Sequence, residues 1–204
     1  MEKLRQFGIV LVLGASLLTA SALGPQSLTD SQLTERGQIM VAGREVAYRI
    51  RHLPVSSFPD LPASVADELT ARGCLIPQTY EAKRPENVIH GSLERAGSDD
   101  WAALCAAQGR VSLLVFFASG SPAKPVVLAA VEETDRLQSH DLTGELGFNW
   151  GIDPASPARV HDAEAGMEHH PPLPDHDCLA DSTVDRETVY HLYRNGAWEH
   201  VDVE

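Results

Sequence analysis

The residues of this sequence with the most evident chemistry lie in a histidine- and acid-rich stretch near the C-terminus. Residues 169–181 (HHPPLPDHDCLAD) combine imidazoles, which bind Zn²⁺ or Cu²⁺, with carboxylates, which also bind Ca²⁺. The stretch predicts a divalent-cation site. Apart from Ca²⁺ or Zn²⁺ bound there, we expect no cofactor. A solvated acidic loop is the alternative, since the glycine and terminal glutamate of an EF-hand are missing. The candidate ligands are Asp175, His176, Asp177, Asp181, His169 and His170.

His90 is the candidate for acid–base catalysis. It lies in a strand-like run, residues 87–93 (NVIHGSL), shortly before Asp99 and Asp100. An imidazole held by a carboxylate can act as a general base, so a hydrolase centred on His90 and Asp100 is one alternative function. A histidine with a single structural hydrogen bond is the other interpretation. The sequence contains no nucleophile elbow, phosphate loop or dinucleotide fingerprint, which favours a non-enzymatic binding or envelope-associated module.

The chain has three cysteines, Cys74, Cys105 and Cys178. Cys74 follows a predicted helix and Cys105 lies in a predicted strand, so we predict a Cys74–Cys105 disulfide, which would close a loop of about 30 residues. Pairing of Cys74 with Cys178 is the alternative. Cys178 is two residues from His176, and residues at this spacing point to opposite faces of a strand, which argues against a Cys/His dyad.

The N-terminus has the pattern of a secretory signal peptide. Lys3 and Arg5 precede an apolar run at residues 7–18, and residues 20–22 (ASA) form a small-x-small site. We expect cleavage after Ala22, so that residues 1–22 are removed and the protein is exported to the periplasm or secreted. The apolar run is shorter than the roughly 20 residues that span a bilayer; a retained anchor is the alternative.

The composition is that of a globular protein with an acidic surface. Of its 204 residues, 29 are Asp or Glu and 16 are Lys or Arg, giving a formal net charge of −13. This balance argues against a nucleic-acid or anionic-membrane partner, because both require a basic surface. No later stretch is long and apolar enough to span a membrane. The sequence does not identify a partner.

The elements that must position these side chains are short strands and a helix. After a flexible lead-in at residues 23–37, residues 38–204 predict a single α+β domain, mostly antiparallel sheet with one or more short helices. The helix, at 60–72, would have Asp60 as its N-cap and Gly73 after its end. Residues 153–177 have the composition of a loop. Strands are predicted at 40–50, 87–93, 101–105, 111–117, 126–133 and, weakly, 146–152.

Two hairpins follow from local sequence. Residues 107–110 (AQGR) separate two apolar runs and predict a hairpin turn, and Asn195–Gly196 lies between 189–194 and 197–203. Asn-Gly between alternating runs is a strong signal for a type I′ turn. The second run of the first hairpin, residues 111–117 (VSLLVFF), is apolar at both parities, which is typical of a central strand covered on both faces.

Two parts of the chain resemble a set of exported bacterial proteins of unknown function. They are residues 84–105 (RPENVIHGSLERAGSDDWAALC) and the C-terminal part, with 174–181 (PDHDCLAD) and 189–201 (VYHLYRNGAWEHV). The resemblance covers roughly residues 55–204 and implies a shared fold and export, but no activity. Cys178 stands where those proteins have a glycine.

Residues 92–104 (SLERAGSDDWAAL) also resemble the loop of FG-GAP-type propeller repeats, which hold Ca²⁺ between strands. The resemblance assigns carboxylate ligands to Glu94 and Asp100 and a turn to Gly97. Calcium takes six to eight oxygens, and this loop supplies few, so a turn in which Ser98 and Asp99 bond the local backbone is the alternative. The chain is too short for a full propeller.

Overall fold

The computed structural model describes residues 29, 31–121, 124–140, 144–163 and 174–201. The expected signal peptide with its Ala22 site, and the candidate ligands His169 and His170, lie outside the described residues. The strands are β1 (Thr34–Val41), β2 (Arg44–Pro54), β3 (Leu75–Gln78), β4 (Val88–Gly91), β5 (Asp100–Ala107), β6 (Arg110–Phe116), β7 (Val126–Glu132), β8 (Leu137–Ser139), β9 (Leu146–Phe148), β10 (Trp150–Ala155), β11 (Cys178–Thr183), β12 (Thr188–Arg194) and β13 (Ala197–Val201). The helices are α1 (Ala63–Ala71), α2 (Pro157–Ala163) and two 3₁₀ turns, Val55–Ser57 and Glu133–Arg136.

The described strands form two sheets. The larger has the order β7-β6-β5-β3-β2-β9-β8, with β1 paired to β2 and β4 paired to β5, and the smaller has the order β10-β11-β12-β13. The expectation of a mostly antiparallel β-structure with short helices is confirmed. The larger sheet is mixed, however, because β2 and β9 run parallel, a long-range pairing that no local sequence signal specifies.

The buried hydrophobic side chains of the described residues form three clusters. One cluster lies between the two sheets and includes Leu104, Leu113, Trp150 and Leu179. A second lies where α1 covers the other face of the larger sheet, and a third where α2 covers the smaller sheet. The order is therefore helix, sheet, sheet, helix, with most of the apolar burial between the sheets.

Strand β6 has the covered, central position that its sequence predicts. It lies between β5 and β7. Val111, Leu113 and Val115 face the second sheet, while Leu114 and Phe116 face α1. Successive side chains alternate between faces, so a strand that is buried on both faces needs apolar residues at both parities.

Both predicted hairpin turns are present. Gln108 and Gly109 have φ of 54° and 78°, and Asn195 and Gly196 have φ of 54° and 83°. Positive φ at both central residues is the requirement of a type I′ turn. In the second hairpin Tyr190 is opposite Val201 and Tyr193 is opposite Trp198, so these pairs lie on opposite faces.

The N-terminal strand prediction is wrong in its extent. Residues 40–50 span the end of β1, a turn at Ala42–Gly43 and part of β2. The chain reverses here because both turn residues have positive φ. Part of the expected lead-in, residues 34–37, pairs with β2 instead of being flexible. The sequence did not indicate a hairpin at this point, because Ala-Gly is a weak turn signal.

The predicted helix is present but its cap is not Asp60. Helix α1 begins at Ala63 after an N-cap at Pro62, and no side chain caps it. Gly73 follows the helix with a φ of 73°, as predicted for C′. Val65 and Leu69 are buried against the larger sheet, which confirms that this apolar stripe is core.

Two expectations about the C-terminal half are wrong. Residues 146–152 do not form one strand, since β9 belongs to the larger sheet and β10 to the smaller. Residues 153–177 are not all loop, because they contain the end of β10 and the helix α2. The proline content of this region masked both elements: Pro154 lies within β10, and Pro157 begins α2, where its missing N–H is not needed.

The predicted disulfide is confirmed. Cys74 and Cys105 are bonded, with a Cα–Cα distance of 4.9 Å and a sequence separation of 31. The bond ties the end of α1 to β5 beneath the helix. Cys178 is buried in the cluster under α2 and takes no part in the disulfide.

Candidate functional site

The β1–β2 hairpin presents different chemistry on its two faces. Glu35 is opposite Ile50 and Arg36 is opposite Arg49, and residues opposite one another share a face. Glu35 therefore shares the core-facing side with Ile50 and, by alternation along β2, with Tyr48 and His52. The arginines lie on the other face.

His52 and Glu133 form a buried pair at the end of this core-facing side. His52 Nε2 and Glu133 Oε1 are 2.7 Å apart, and each side chain is only 4% exposed. The backbone of both residues is fixed, since the His52 N–H donates to the Leu33 carbonyl and the Glu133 N–H donates to the Gly109 carbonyl. The pair joins residues 81 positions apart in sequence.

Glu35 approaches this pair from β1 and is held by Tyr48. The Tyr48 hydroxyl donates a hydrogen bond of 2.8 Å to Glu35 Oε1. The ring of Tyr48 lies across Gly37, where a Cβ atom would be only 2.6 Å from ring carbon Cε1. Glycine at position 37 therefore lets the tyrosine lie flat on the strand and reach Glu35.

The ligand-type atoms of Glu35, His52 and Glu133 all lie within 4.8 Å of one another. Among the described residues, they are the one set of three His, Cys, Asp or Glu side chains that converge in this way. Four-coordinate Zn²⁺ with ligand distances near 2.0–2.1 Å needs its ligand atoms about 3.3 Å apart. The three side chains would thus need small rotations to bind an ion.

The surroundings of this group are electrostatically negative. Burial, the hydrogen bond to Glu35 and the charges of Glu35 and Glu133 together raise the pKa of Tyr48 to about 12. No Lys or Arg among the described residues forms an ion pair with Glu35 or Glu133. Two carboxylates thus lie near one imidazole, an arrangement that a divalent cation would neutralise.

His90, the predicted general base, lies at the rim of a different feature. It borders a cleft of about 620 Å³ lined also by Phe58, Leu61, Val88 and Trp101. Its ring is tilted by 33° relative to the ring of Trp101, with 4.8 Å between centroids. His90 Nε2 is bonded to the carboxylate of Asp99, not of Asp100, and both side chains are more than half exposed.

Asp100 is a structural residue in this loop. Its side chain is buried and accepts hydrogen bonds from the backbone N–H of Glu94 at 2.7 Å, from that of Ala118 at 2.8 Å and from the Ser98 hydroxyl. These three donors occupy both oxygens, so the carboxylate has little left to offer a substrate or Ca²⁺. His90 is thus paired with Asp99 and not with Asp100, and a hydrolase centred on His90 and Asp100 stays a prediction.

The loop around Gly97 is closed by its own hydrogen bonds. The Ser98 hydroxyl donates to the Arg95 carbonyl at 2.7 Å, and Gly97 has a φ of 75°. Glu94, the other carboxylate in the resemblance to a calcium loop, accepts from Ser119 and Arg95. The alternative of a turn that bonds its own backbone is what the structure contains at Ser98, whereas Asp99 points to His90.

The described residues of the 169–181 stretch have separate partners. His176 is buried and bonds Asp175 at 2.6 Å and the Tyr193 carbonyl at 2.9 Å. The hydrogen bond to His176 lowers the pKa of the exposed Asp175. Asp177 accepts from the Ser92 N–H at 2.9 Å, which ties this segment to the end of β4.

Asp181 is not in a loop but in β11, at the centre of the smaller sheet. Its carboxylate accepts a 2.6 Å hydrogen bond from the indole N–H of Trp150 and lies 3.4 Å from His191 Nε2. Asp175, Asp177 and Asp181 thus have separate partners and do not converge on one point. A metal site in this stretch stays a prediction that depends on His169 and His170, outside the described residues.

The sequence interpretation missed the group that does converge. His52 has the same parity as Val46, Tyr48 and Ile50, so alternation along β2 could have placed it facing the core. Glu35 could follow only from the register of an unpredicted hairpin. Glu133 had no signal, because an acid in a charged run, 132–136 (EETDR), is typical of an exposed turn.

No helix among the described residues is long and apolar enough to cross a membrane. Comparison of the chain with protein-family models, curated proteins and solved structures found no match to any of them.

Proposed function

We propose that this protein is an exported, non-enzymatic binding module whose ligand is a divalent transition-metal cation, held by Glu35, His52 and Glu133. The observation that carries the proposal is the convergence of one imidazole and two carboxylates within 4.8 Å. The cation belongs to the same class as the one predicted for residues 169–181, but it lies at a different place in the fold.

The donor set favours Zn²⁺, or Mn²⁺ as a harder alternative. One nitrogen and two oxygens suit these ions, and no thiolate or thioether is present to select Cu⁺. Three protein ligands would leave a fourth position for water or an exogenous group. Tyr48 acts behind the ligands: its bond to one Glu35 oxygen orients the other, as outer hydrogen bonds do in metal sites.

Cation binding would also relieve the cost of burying the His52–Glu133 pair. A buried carboxylate is expensive unless it is paired, and here its partner is a single imidazole. A cation between the two atoms would replace the hydrogen bond that joins them with two ligand bonds. Export is supported by the leader-like N-terminus and by the Cys74–Cys105 disulfide.

Thermal unfolding of the untagged chain with and without Zn²⁺ tests the proposal. A ligand that binds only the folded state at 100 times its dissociation constant stabilises it by about 2.7 kcal/mol. We expect Zn²⁺ to raise the melting temperature of the wild type, EDTA to reverse the effect, and the substitutions His52→Gln and Glu133→Gln to abolish it.

A matched control separates this site from the histidine-rich stretch. The double variant His169→Ala/His170→Ala should keep the full Zn²⁺ response. Because changes at the buried pair also affect folding, Glu35→Gln provides a variant at the more exposed ligand that leaves the pair intact. An unchanged Zn²⁺ response in Glu35→Gln and Glu133→Gln, or its loss only in the His169/His170 variant, would refute the assignment.

A further inference from the structure

The other face of the β1–β2 hairpin carries a concentration of positive charge. A pocket of about 210 Å³ is lined there by three arginines, Arg36, Arg49 and Arg51, together with Thr79 and Tyr80. The chain as a whole has a formal net charge of −13, with only 16 basic residues. Three of these 16 share one small pocket, which makes it a local exception to an acidic molecule.

The arrangement of the arginines is unfavourable without an anion. Arg36 and Arg49 are directly opposite on the antiparallel strands β1 and β2, and like charges at such positions repel. Arg51 follows on the same face as Arg49, because residues two apart in a strand share a face. A hairpin stabilised only by its own contacts would be better served by an opposite charge at position 36.

The arginines are only partly satisfied by protein groups. Arg49 forms a 3.1 Å ion pair with Glu145, and Arg51 donates to the Ala82 carbonyl at 3.1 Å. The Arg36 side chain forms no ion pair or hydrogen bond with any residue that the structure describes. Glu145 offsets one of the three positive charges, and two further carboxylates lie at the edge of the pocket: Glu86 accepts from the Thr79 N–H at 2.8 Å and Asp185 accepts from the Tyr80 hydroxyl at 3.0 Å.

One wall of the pocket is a stacked aromatic pair. The rings of Tyr80 and His140 are 4.6 Å apart at their centroids and 13° from parallel. They lie over Gly147, where a Cβ atom would be 2.6 Å from Tyr80 Cβ and 2.9 Å from His140 Cδ2. Gly147 is the register partner of Arg49, so the wall stands directly beside the arginines.

The size and charge of the pocket define its ligand. It is smaller than the roughly 300–1,000 Å³ of sites that enclose drug-sized molecules, so it suits a compact group. A phosphoryl group carries close to two negative charges near neutral pH and accepts the paired N–H donors of guanidinium. Arginine is better suited to this role than lysine, because its planar fork binds two oxygens at once.

We infer that this pocket binds the phosphoryl group of a small ligand through Arg36, Arg49 and Arg51, with Thr79 and Tyr80 at its edge. The site is independent of the proposed metal group, which lies on the opposite face of the hairpin. A soluble phosphate ester and a phospholipid headgroup share this chemistry, and the test separates them.

Calorimetric titration of the full chain tests the inference. Inorganic phosphate and glycerol 3-phosphate are the probes, at constant ionic strength and with EDTA present so that metal-bound phosphate cannot contribute. We expect saturable binding by the wild type. The substitutions Arg36→Gln and Arg51→Gln should each weaken it about tenfold or more, since each removes a charge-assisted pair of hydrogen bonds.

Two further variants distinguish recognition from general charge. Arg44→Gln removes an exposed arginine from the same strand but outside the pocket, and it should leave affinity unchanged within about twofold. Arg36→Lys keeps the charge but loses the fork, and it should bind more weakly than the wild type. Equal weakening by Arg44→Gln and Arg36→Gln, or no saturable binding by the wild type, would overturn the inference.

Co-sedimentation with vesicles that contain phosphatidic acid identifies the source of the phosphoryl group. Retention on these vesicles that is lost in Arg36→Gln would assign the pocket to a lipid headgroup. Binding of glycerol 3-phosphate without retention on vesicles would assign it to a soluble ester. Retention that does not depend on Arg36 would count against the pocket as the binding site.

Discussion

At the scale of single residues, neighbours in sequence serve unrelated chemistry. Arg51 lines the basic pocket, whereas the next residue, His52, is buried against Glu133 on the opposite face. Alternation of side chains along a strand imposes this separation, so a linear motif that contains both residues would have no meaning as one site. The same alternation places Glu35 and Arg36 on different faces.

Asp99 and Asp100 show the same separation. Asp99 is exposed and bonds His90, while Asp100 is buried and accepts three hydrogen bonds that close the loop before β5. Of these two acids, Asp99 is therefore the one that is placed to hold His90. The sequence interpretation chose Asp100 because spacing alone cannot tell which of two adjacent acids faces inward.

Tyr48 makes the stability of the protein depend on alkaline pH. Its pKa is raised from 10.0 to about 12. The folded state thus holds this proton more tightly than the unfolded state, and its contribution is complete below pH 10 and lost as pH rises through 12. We expect the free energy of unfolding, measured in urea, to fall over this range and to fall less steeply in Tyr48→Phe.

Tyr80 provides a second, independent test of this pH dependence. Its pKa is also raised to about 12, chiefly by burial and by its hydrogen bond to Asp185. Tyr80→Phe should reduce the alkaline dependence in the same direction, and the double variant should reduce it further. A wild-type pH dependence that survives unchanged in Tyr48→Phe would contradict the role given to the Glu35 bond.

At the scale of elements, local signals located some strands and missed others. The β5–β6 and β12–β13 hairpins were predicted because both strands and the turn lie within about 16 residues of sequence, and because Asn-Gly in the second hairpin has a strong preference for positive φ. Strand β3 is only four residues long, and β9 makes its pairings with β2 and β8. Such short strands are stabilised by pairing with neighbouring strands, and the local sequence does not specify which strands these are.

The disulfide fixes the position of α1 on the larger sheet. It closes a loop between positions 31 apart in sequence, for which the chain-entropy model gives about 3–4 kcal/mol of stabilisation. We expect the double variant Cys74→Ser/Cys105→Ser to lose stability by about this amount in urea-induced unfolding at neutral pH. Treatment of the wild type with a reductant should give a similar loss.

Cys178 supplies the comparison for this experiment. It is buried but outside the disulfide, so Cys178→Ala should make the protein no more sensitive to reductant than the wild type. A double cysteine variant with the wild-type unfolding midpoint would show that the bond contributes little, and that α1 is held by the packing of Val65 and Leu69 alone.

At the scale of the whole molecule, the two sheets share one core. Leu104 from β5 in the larger sheet belongs to the same buried cluster as Trp150 and Leu179 from the smaller sheet. The single domain expected for residues 38–204 stays a prediction, and a shared core gives it a physical basis. Removing apolar volume from this cluster should weaken both sheets together.

Leu104→Ala tests this coupling. The side chain is fully buried, and truncation of a buried leucine costs about 2–5 kcal/mol. We expect a lower melting temperature and a single transition, in which circular dichroism and tryptophan fluorescence coincide. Val127→Ala, at a valine that is 54% exposed, should change stability by less than about 0.5 kcal/mol. Two separated transitions in the wild type would contradict one cooperative unit.

The sequence by itself determined the features that depend on the local conformational preferences of its residues. It located the covered strand 111–117, two hairpin turns (the second as type I′), the apolar face of α1 and the Cys74–Cys105 pair, because each depends on residues close in the chain or on strong composition. It also indicated a leader peptide and an acidic protein, properties that need no contacts at all.

Only the tertiary structure decided where chemistry converges. Glu35, His52 and Glu133 come from a hairpin strand, a long strand and a turn, and residues 52 and 133 are 81 positions apart. The pocket of Arg36, Arg49 and Arg51 likewise depends on the register of β1 against β2 and on the parallel pairing with β9. Register and long-range pairing are set by the burial of many side chains at once, so no short motif carries them.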